Sequence, residues 1–98
     1  MNYAVQRKFA RHAVRLPVEF ASGHGLTRNV SVGGLYFEAS EEIEEGRRFT
    51  FHIVLRRGAG EPLRIECEGT VVRVDRESAL VGIAATIDNF ESIAAAIR

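Results

Sequence analysis

The stretch Arg48-Phe-Thr-Phe-His-Ile-Val-Leu55 alternates apolar and polar residues more regularly than any other part of the chain. Side chains two residues apart point the same way along an extended backbone, so every second residue shares one face. The residues on the apolar face here are Phe49, Phe51, Ile53 and Leu55. This period of two predicts a half-buried β-strand.

Similar alternation on both sides of this stretch predicts five further strands, at residues 14–20, 26–30, 35–39, 63–74 and 80–86. Pro17 cannot donate to a hydrogen-bond ladder, so its strand is expected to be an edge strand or to leave the proline unpaired. Gly69, in the middle of the longest strand, indicates a bulge or bend of the kind that a closing barrel needs. Six strands separated by turn signals predict an antiparallel β-barrel.

The period changes at the C-terminus. Phe90, Ile93, Ala94 and Ile97 follow helical spacing, with Asp88 in place for an N-cap. We therefore expect a short helix after the barrel. The fold class is then mainly all-β: a six-stranded antiparallel barrel with a C-terminal helix, spanning residues 14–98 as one domain.

Residues 1–13 show neither strand alternation nor a sustained helical stripe. They are basic, with Arg7, Lys8 and Arg11, and no acidic residue precedes Glu19. This composition is typical of a flexible arm that becomes ordered by what it touches. We expect the arm to end where the first strand begins.

The composition excludes several classes of function. A chain of 98 residues supports one modest core, and no apolar run approaches the ~18 residues of a membrane span. A formal net charge of zero argues against a general nucleic-acid binder. Cys67 is the only cysteine, which excludes an internal disulfide and favours a reducing, cytoplasmic location. The start of the chain also lacks the long apolar segment of a secretory signal.

Enzymatic motifs are absent from the sequence. His12, His24 and His52 form no metal-binding pair with their neighbours, and no Gly-rich phosphate loop with a Lys is present. Ser31 has no base near it in sequence, and nucleophilic catalysis requires one. Cys67 alternates with apolar neighbours and is expected to be a small buried residue. The sequence therefore predicts a non-enzyme without metal or cofactor.

Two polar motifs remain to be explained. The first is the arginine pair Arg7 and Arg11, and the second is Asn29-Val-Ser-Val-Gly-Gly34. A guanidinium group is planar and permanently charged, so it can grip a phosphate or the O6/N7 edge of guanine and can stack on a base. Amide and hydroxyl groups beside glycines can hydrogen-bond the edge of a ligand that approaches the backbone closely.

The two motifs, in this order and followed by a barrel, resemble the PilZ family of cyclic di-GMP receptors. Arg7-Lys-Phe-Ala-Arg11, running into Leu16-Pro-Val-Glu-Phe20, is similar to the start of a PilZ domain, and Asn29-Val-Ser-Val-Gly-Gly34 is similar to its second motif. Gly69-Thr-Val-Val-Arg-Val74 and Val81-Gly-Ile-Ala-Ala85 resemble the last two barrel strands. The resemblance extends from about Arg7 to the C-terminus.

The resemblance implies a role for each matching residue of the two motifs. Arg7 and Arg11 would contact phosphate and guanine of cyclic di-GMP, while Asn29 and Ser31 would hydrogen-bond a guanine edge or nearby phosphate. Gly34 would keep the surface open for close approach.

Three further residues complete the implied ligand site. Gly33 lies beside Gly34 in the motif, Lys8 would add charge, and Arg73 is a candidate for stacking over a base. The residue before the first arginine is Gln6. The resemblance implies that this position influences whether one nucleotide or an intercalated pair is bound. With Gln there a single nucleotide is favoured, and the stoichiometry stays open.

The resulting hypothesis is a receptor whose arm closes on cyclic di-GMP and which signals to a separate effector protein. The alternative is a PilZ-fold protein-interaction module that binds no nucleotide and docks through the glutamate-rich loop Ser40–Gly46 or through the C-terminal helix. A binder of single-stranded nucleic acid would need aromatic stacking residues on a basic groove, whereas most aromatic residues here occupy inward strand positions.

Overall fold

The alternating stretch Arg48–Leu55 forms a strand with these same bounds in the computed structural model, which describes residues 10–56, 58–76 and 79–92. Within the described residues the chain forms seven strands and no helix. The strands are β1 (Pro17–Phe20), β2 (Gly23–Ser31), β3 (Gly34–Ala39), β4 (Arg48–Leu55), β5 (Leu63–Asp75), β6 (Val81–Thr86) and β7 (Asn89–Ser92).

Strand β4 closes the sheet into a barrel. It pairs with β1 on one edge and with β5 on the other, and the order of the described strands is β4-β1-β2-β3-β6-β5-β7. All of these pairings are antiparallel. The predicted six-stranded antiparallel barrel is therefore confirmed, and β7 adds to it along β5.

The inward residues of the strands form one apolar core. Its largest fully buried side chains include Phe37, Phe51, Leu35 and Ile83. Phe20 packs edge-on against Phe37, with ring centroids 6.0 Å apart, which is a favourable aromatic geometry. Ile43 joins this core from the loop after β3.

The structure explains the two unusual strand residues, Pro17 and Gly69. β1 is an inner strand, but its pairing with β4 begins at Val18, so Pro17 lies outside that ladder. In β5 the register shift falls between Val71 and Arg73 rather than at Gly69. Gly69 has a different reason to be glycine: a Cβ there would lie 1.8 Å from the carbonyl oxygen of Thr86.

The prediction of a C-terminal helix is wrong for its first residues. Asn89–Ser92 form β7, in which Phe90 pairs with Cys67 and Glu91 with Glu66. Four residues are too few to separate helical from extended spacing, and the free edge of β5 decides in favour of a strand. Ile93, Ala94 and Ile97 lie outside the described residues, and a helix there stays a prediction.

A buried threonine, Thr27, holds the segment that leads into β1. The backbone N–H of Leu16 donates to Thr27 Oγ1 at 2.8 Å, and the Thr27 hydroxyl donates to the carbonyl of Val14 at 2.5 Å. Thr27 itself is completely buried. One side chain therefore satisfies two backbone groups of the segment before β1.

Thr27→Val is expected to lower the free energy of unfolding by about 1–3 kcal/mol, because valine keeps the shape and leaves these backbone groups without their partner. Chemical denaturation measures the change. Thr50→Val is the matched control: Thr50 is exposed on β4, and its replacement is expected to stay within about 0.5 kcal/mol. Equal losses in the two variants would contradict this account of Thr27.

Cys67 lies in the core, as its alternation with apolar neighbours predicted, and is 1% exposed. Burial raises the pKa of its thiol to about 11. Since the thiolate is the reactive form, the native protein is expected to react with a thiol reagent at pH 8 far more slowly than the unfolded chain. Absorbance with a disulfide reagent, with and without denaturant, measures both rates. Similar rates would contradict the burial of this thiol.

Candidate functional site

The second polar motif forms the hairpin between β2 and β3. Ser31 and Gly34 are the last pair of the two strands, and Val32 and Gly33 form the turn between them. The Ser31 hydroxyl is buried and donates to the carbonyl oxygen of Gly34 at 3.2 Å. Its proton therefore closes the turn, while its oxygen lone pairs remain able to accept a hydrogen bond.

Gly34 is required by the barrel itself. A Cβ at this position would lie 2.9 Å from the carbonyl oxygen of Ala85 on β6. Among the described residues a left-handed backbone occurs at Gly46 and Gly58, with φ of 90° and 63°, and not in this turn. The motif glycine is buried and thus permits close packing of β3 on β6.

The arm reaches the hairpin through a short antiparallel bridge. The N–H of His12 donates to the carbonyl of Val30 at 2.8 Å, and the N–H of Val30 donates to the carbonyl of His12 at 3.0 Å. This bridge places Arg11 beside Asn29, where Arg11 Nη2 donates to Asn29 Oδ1 at 2.8 Å. The first and second motifs are therefore in direct contact.

An open concavity of about 580 Å³ lies next to this contact. The predicted site residues that line it are Arg11, Ser31, Gly33, Gly34 and Arg73. Asn29 adjoins it through its bond to Arg11. Arg7 and Lys8 lie outside the described residues. Six predicted residues from three separate parts of the chain are thus brought to one surface.

Sequence reasoning missed two polar neighbours of this surface, Tyr36 and Asp75. The Tyr36 hydroxyl donates to Asp75 Oδ2 at 2.9 Å, and the guanidinium carbon of Arg73 lies 5.4 Å from the centre of the Tyr36 ring. Partial burial, followed by the hydrogen bond to Asp75, raises the pKa of Tyr36. The alternation of β3 could have placed Tyr36 on the outer face, but nothing local indicates Asp75.

The surface suits a flat anionic ligand. Arg11 and Arg73 supply two guanidinium groups, of which Arg73 is paired with Asp75, and guanidinium groups bind phosphates and stack on planar rings. The concavity has a volume within the range of about 300–1,000 Å³ typical of small-molecule sites. Ala84, Ala85 and Gly34 offer small side chains or none, so a planar group can approach the backbone closely.

Other kinds of site find no support in the part of the chain that the structure describes. No group of three His, Cys, Asp or Glu residues is arranged there to hold a metal ion. Nor do residues 10–56, 58–76 and 79–92 include a helix long and apolar enough to cross a membrane.

Fold and surface together define a small all-β domain with an arginine-lined concavity beside its β2–β3 hairpin. The family model of the PilZ domain matches residues 5–96. This match covers nearly the whole sequence, and the chain belongs to the PilZ domain family. PilZ domains are binding and adaptor modules, which agrees with the absence of enzymatic motifs in the sequence.

A solved structure supports the fold. The chain is similar to the inhibitor of motility MotI/DgrA of Bacillus subtilis, with 21% sequence identity and a TM-score of 0.72. The alignment covers 88% of this chain and 44% of that chain, so this chain spans less than half the length of MotI/DgrA. No curated protein matches the sequence.

Proposed function

We propose that this protein is a receptor for cyclic di-GMP. The observation that carries the proposal is the convergence of Arg11, Ser31, Gly34 and Arg73 around one concavity, with Asn29 bonded to Arg11 at its rim. Membership of the PilZ family supports the choice of ligand, because cyclic di-GMP receptors are found in this family.

Each described group has a chemical role in this proposal. Arg11 binds a phosphate or the O6/N7 edge of a guanine, and Asn29 hydrogen-bonds the same base or the neighbouring phosphate. Arg73 stacks over a base, and Ser31 accepts a hydrogen bond through its free lone pairs. Cyclic di-GMP combines phosphates and planar guanines, so it matches both properties of the surface.

The proposed switch uses the arm. Arg7 joins Arg11 on the nucleotide, and this capture draws the arm onto the face that carries Asn29 and Ser31. The His12 bridge supports the geometry, because it already holds the end of the arm against β2. An ordered arm forms a new surface, which a separate effector protein in the cytoplasm then recognises.

A calorimetric titration with cyclic di-GMP tests the proposal, with GTP and cyclic di-AMP as controls. Saturable binding of cyclic di-GMP alone is expected, with one nucleotide per chain because Gln6, and not an arginine, precedes Arg7. Saturation at two nucleotides per chain would overturn the expected stoichiometry but would still support the receptor proposal. No measurable heat of binding from folded protein would overturn the receptor proposal itself.

A second candidate function, a protein-interaction module, is favoured by two exposed apolar side chains. Val32 and Phe90 are 61% and 62% exposed, and both line one apolar concavity of about 290 Å³. Apolar side chains gathered around an exposed concavity can serve protein association. The absence of cyclic di-GMP binding in the titration would favour this candidate.

A further inference from the structure

Three side chains of the outer barrel face form a connected cluster beside the concavity. Asp75 Oδ2 accepts the Tyr36 hydroxyl at 2.9 Å, and the Nε–H of Arg73 donates to the same oxygen at 3.4 Å. The guanidinium carbon of Arg73 lies 5.4 Å from the Tyr36 ring centre, within the range of a cation–π contact. Tyr36 and Asp75 thus both contact Arg73 and are hydrogen-bonded to each other.

The register of four strands builds this cluster. Asn29 pairs with Tyr36, Tyr36 pairs with Ala84, and Ala84 pairs with Arg73, so these residues form one row across β2, β3, β6 and β5. The row depends on the register shift between Val71 and Arg73, which brings Arg73 opposite Ala84. The cluster is therefore fixed by the barrel and continuous with the Asn29 end of the site.

A glycine in β6 makes room for the tyrosine. A Cβ on Gly82 would lie 2.0 Å from the Tyr36 hydroxyl oxygen. Tyr36 can therefore extend along the outer face of β6 to reach Asp75, which pairs with Gly82 in the sheet. Any larger residue at position 82 would displace the tyrosine from its carboxylate partner.

The ion pair between Arg73 and Asp75 indicates the role of Arg73 at the rim of the concavity. Its partner Asp75 offsets its charge, so Arg73 is less suited to neutralising a phosphate than Arg11, whose partner is a neutral amide. The Arg73 side chain is nevertheless 62% exposed. An arginine in cation–π contact with one ring can also present its planar group to a second ring.

We propose that Tyr36 and Asp75 are positioning residues that hold Arg73 in place for stacking on a guanine base. This role rests on the proposed binding of cyclic di-GMP. Ordering a long side chain before the ligand arrives removes part of the entropic cost of binding. The two residues act through Arg73 and need not touch the nucleotide.

The test is calorimetry with cyclic di-GMP on single and double variants. Tyr36→Leu and Asp75→Asn are each expected to weaken binding roughly threefold to tenfold, the range that one ordered side chain contributes. Neither is expected to weaken binding further in an Arg73→Ala background, because the residue they position is gone. Equal losses in both backgrounds, or parent-like binding by both single variants, would overturn the positioning role.

Salt dependence separates this role from phosphate binding. The double variant Arg73→Ala/Asp75→Asn removes one positive and one negative charge and is expected to leave the dependence of affinity on salt concentration almost unchanged, whereas Arg11→Ala reduces it, because salt screens the charge–phosphate contact most. An equal reduction by both variants would assign Arg73 to a phosphate and overturn base stacking.

A measurement without nucleotide keeps the two proposals distinguishable. The Nε–H resonance of Arg73 is expected to be displaced by the Tyr36 ring in the parent and to return toward its free position in Tyr36→Leu. An unchanged resonance would overturn the cluster geometry whatever the protein binds. A parent that shows this displacement and binds no cyclic di-GMP would overturn the proposed function, and the positioning role with it.

Discussion

Replacing Arg11 by alanine is expected to weaken the binding of cyclic di-GMP about a hundredfold while leaving the barrel folded. A hydrogen bond to a charged group contributes about 1.5–3 kcal/mol, and every 1.4 kcal/mol changes an equilibrium constant tenfold. Arg11 is exposed and its hydrogen bond to Asn29 lies at the surface, so its loss removes little from the core. Calorimetry of the variant beside the parent measures the change.

Arg15→Ala is the matched control, because it removes the same charge from a nearby exposed position. Arg15 lines a different concavity, with Pro17 and Leu26, and its loss is expected to change affinity less than about threefold, as for a screened surface charge that does not line the site. Arg7→Ala is expected to weaken the binding of cyclic di-GMP as much as Arg11→Ala, because both arginines belong to the first motif. Equal weakening by Arg15→Ala would reduce the role of Arg11 to general charge, and parent-like binding by Arg11→Ala would contradict the site.

Phe37→Ala is expected to lower the free energy of unfolding by about 3–5 kcal/mol, the range for deleting a buried aromatic ring. Phe37 is completely buried at the centre of β3 and packs edge-on against Phe20. Because β3 also carries Gly34 and Tyr36, such a loss bears directly on the site. Chemical denaturation measures the change.

Phe90→Ala provides the same substitution at an exposed position. Phe90 lies on β7 and is 62% exposed, so its truncation is expected to cost less than about 1 kcal/mol. A comparable loss in the two variants would contradict the core described above. It would instead show that β7 contributes as much to stability as the closed barrel.

The sequence predicted the barrel well where one face of a strand is buried, because burial imposes a period of two. β4 has its predicted bounds, and β5 extends only one residue past its predicted end, to Asp75. β1 is shorter than predicted, since Val14 is 38% exposed and residues 14–16 are held by Thr27 instead of a ladder. That contact joins distant positions and has no local signal.

The end of the chain shows the limit of periodicity. Phe90 followed by Ile93 fits a helix, yet residues 89–92 pair with β5 because that edge is free beyond the end of β6. A free edge is a property of the folded sheet and is invisible in a short local pattern. The like-charged pair Glu66 and Glu91 in this ladder also gives no local sign of pairing.

The residues of the candidate site also differ in whether the local sequence gives any sign of them. Its motif residues could be predicted, since Arg11, Asn29 and Gly34 belong to short patterns with a chemical meaning. Tyr36 and Asp75 could not, because their contact joins positions 39 residues apart and depends on β6 lying between β3 and β5. Local patterns thus predicted the groups that we propose bind cyclic di-GMP and missed the two residues that we propose position Arg73.

The most direct test of the central claim is a backbone amide NMR titration with cyclic di-GMP. The proposal predicts saturable shifts that cluster at residues 29–34, at Arg11 and at Arg73, with cyclic di-AMP leaving these signals in place. Shifts confined to other surfaces of the barrel would contradict the assignment of the site. Unchanged spectra from folded protein would contradict the cyclic di-GMP receptor itself.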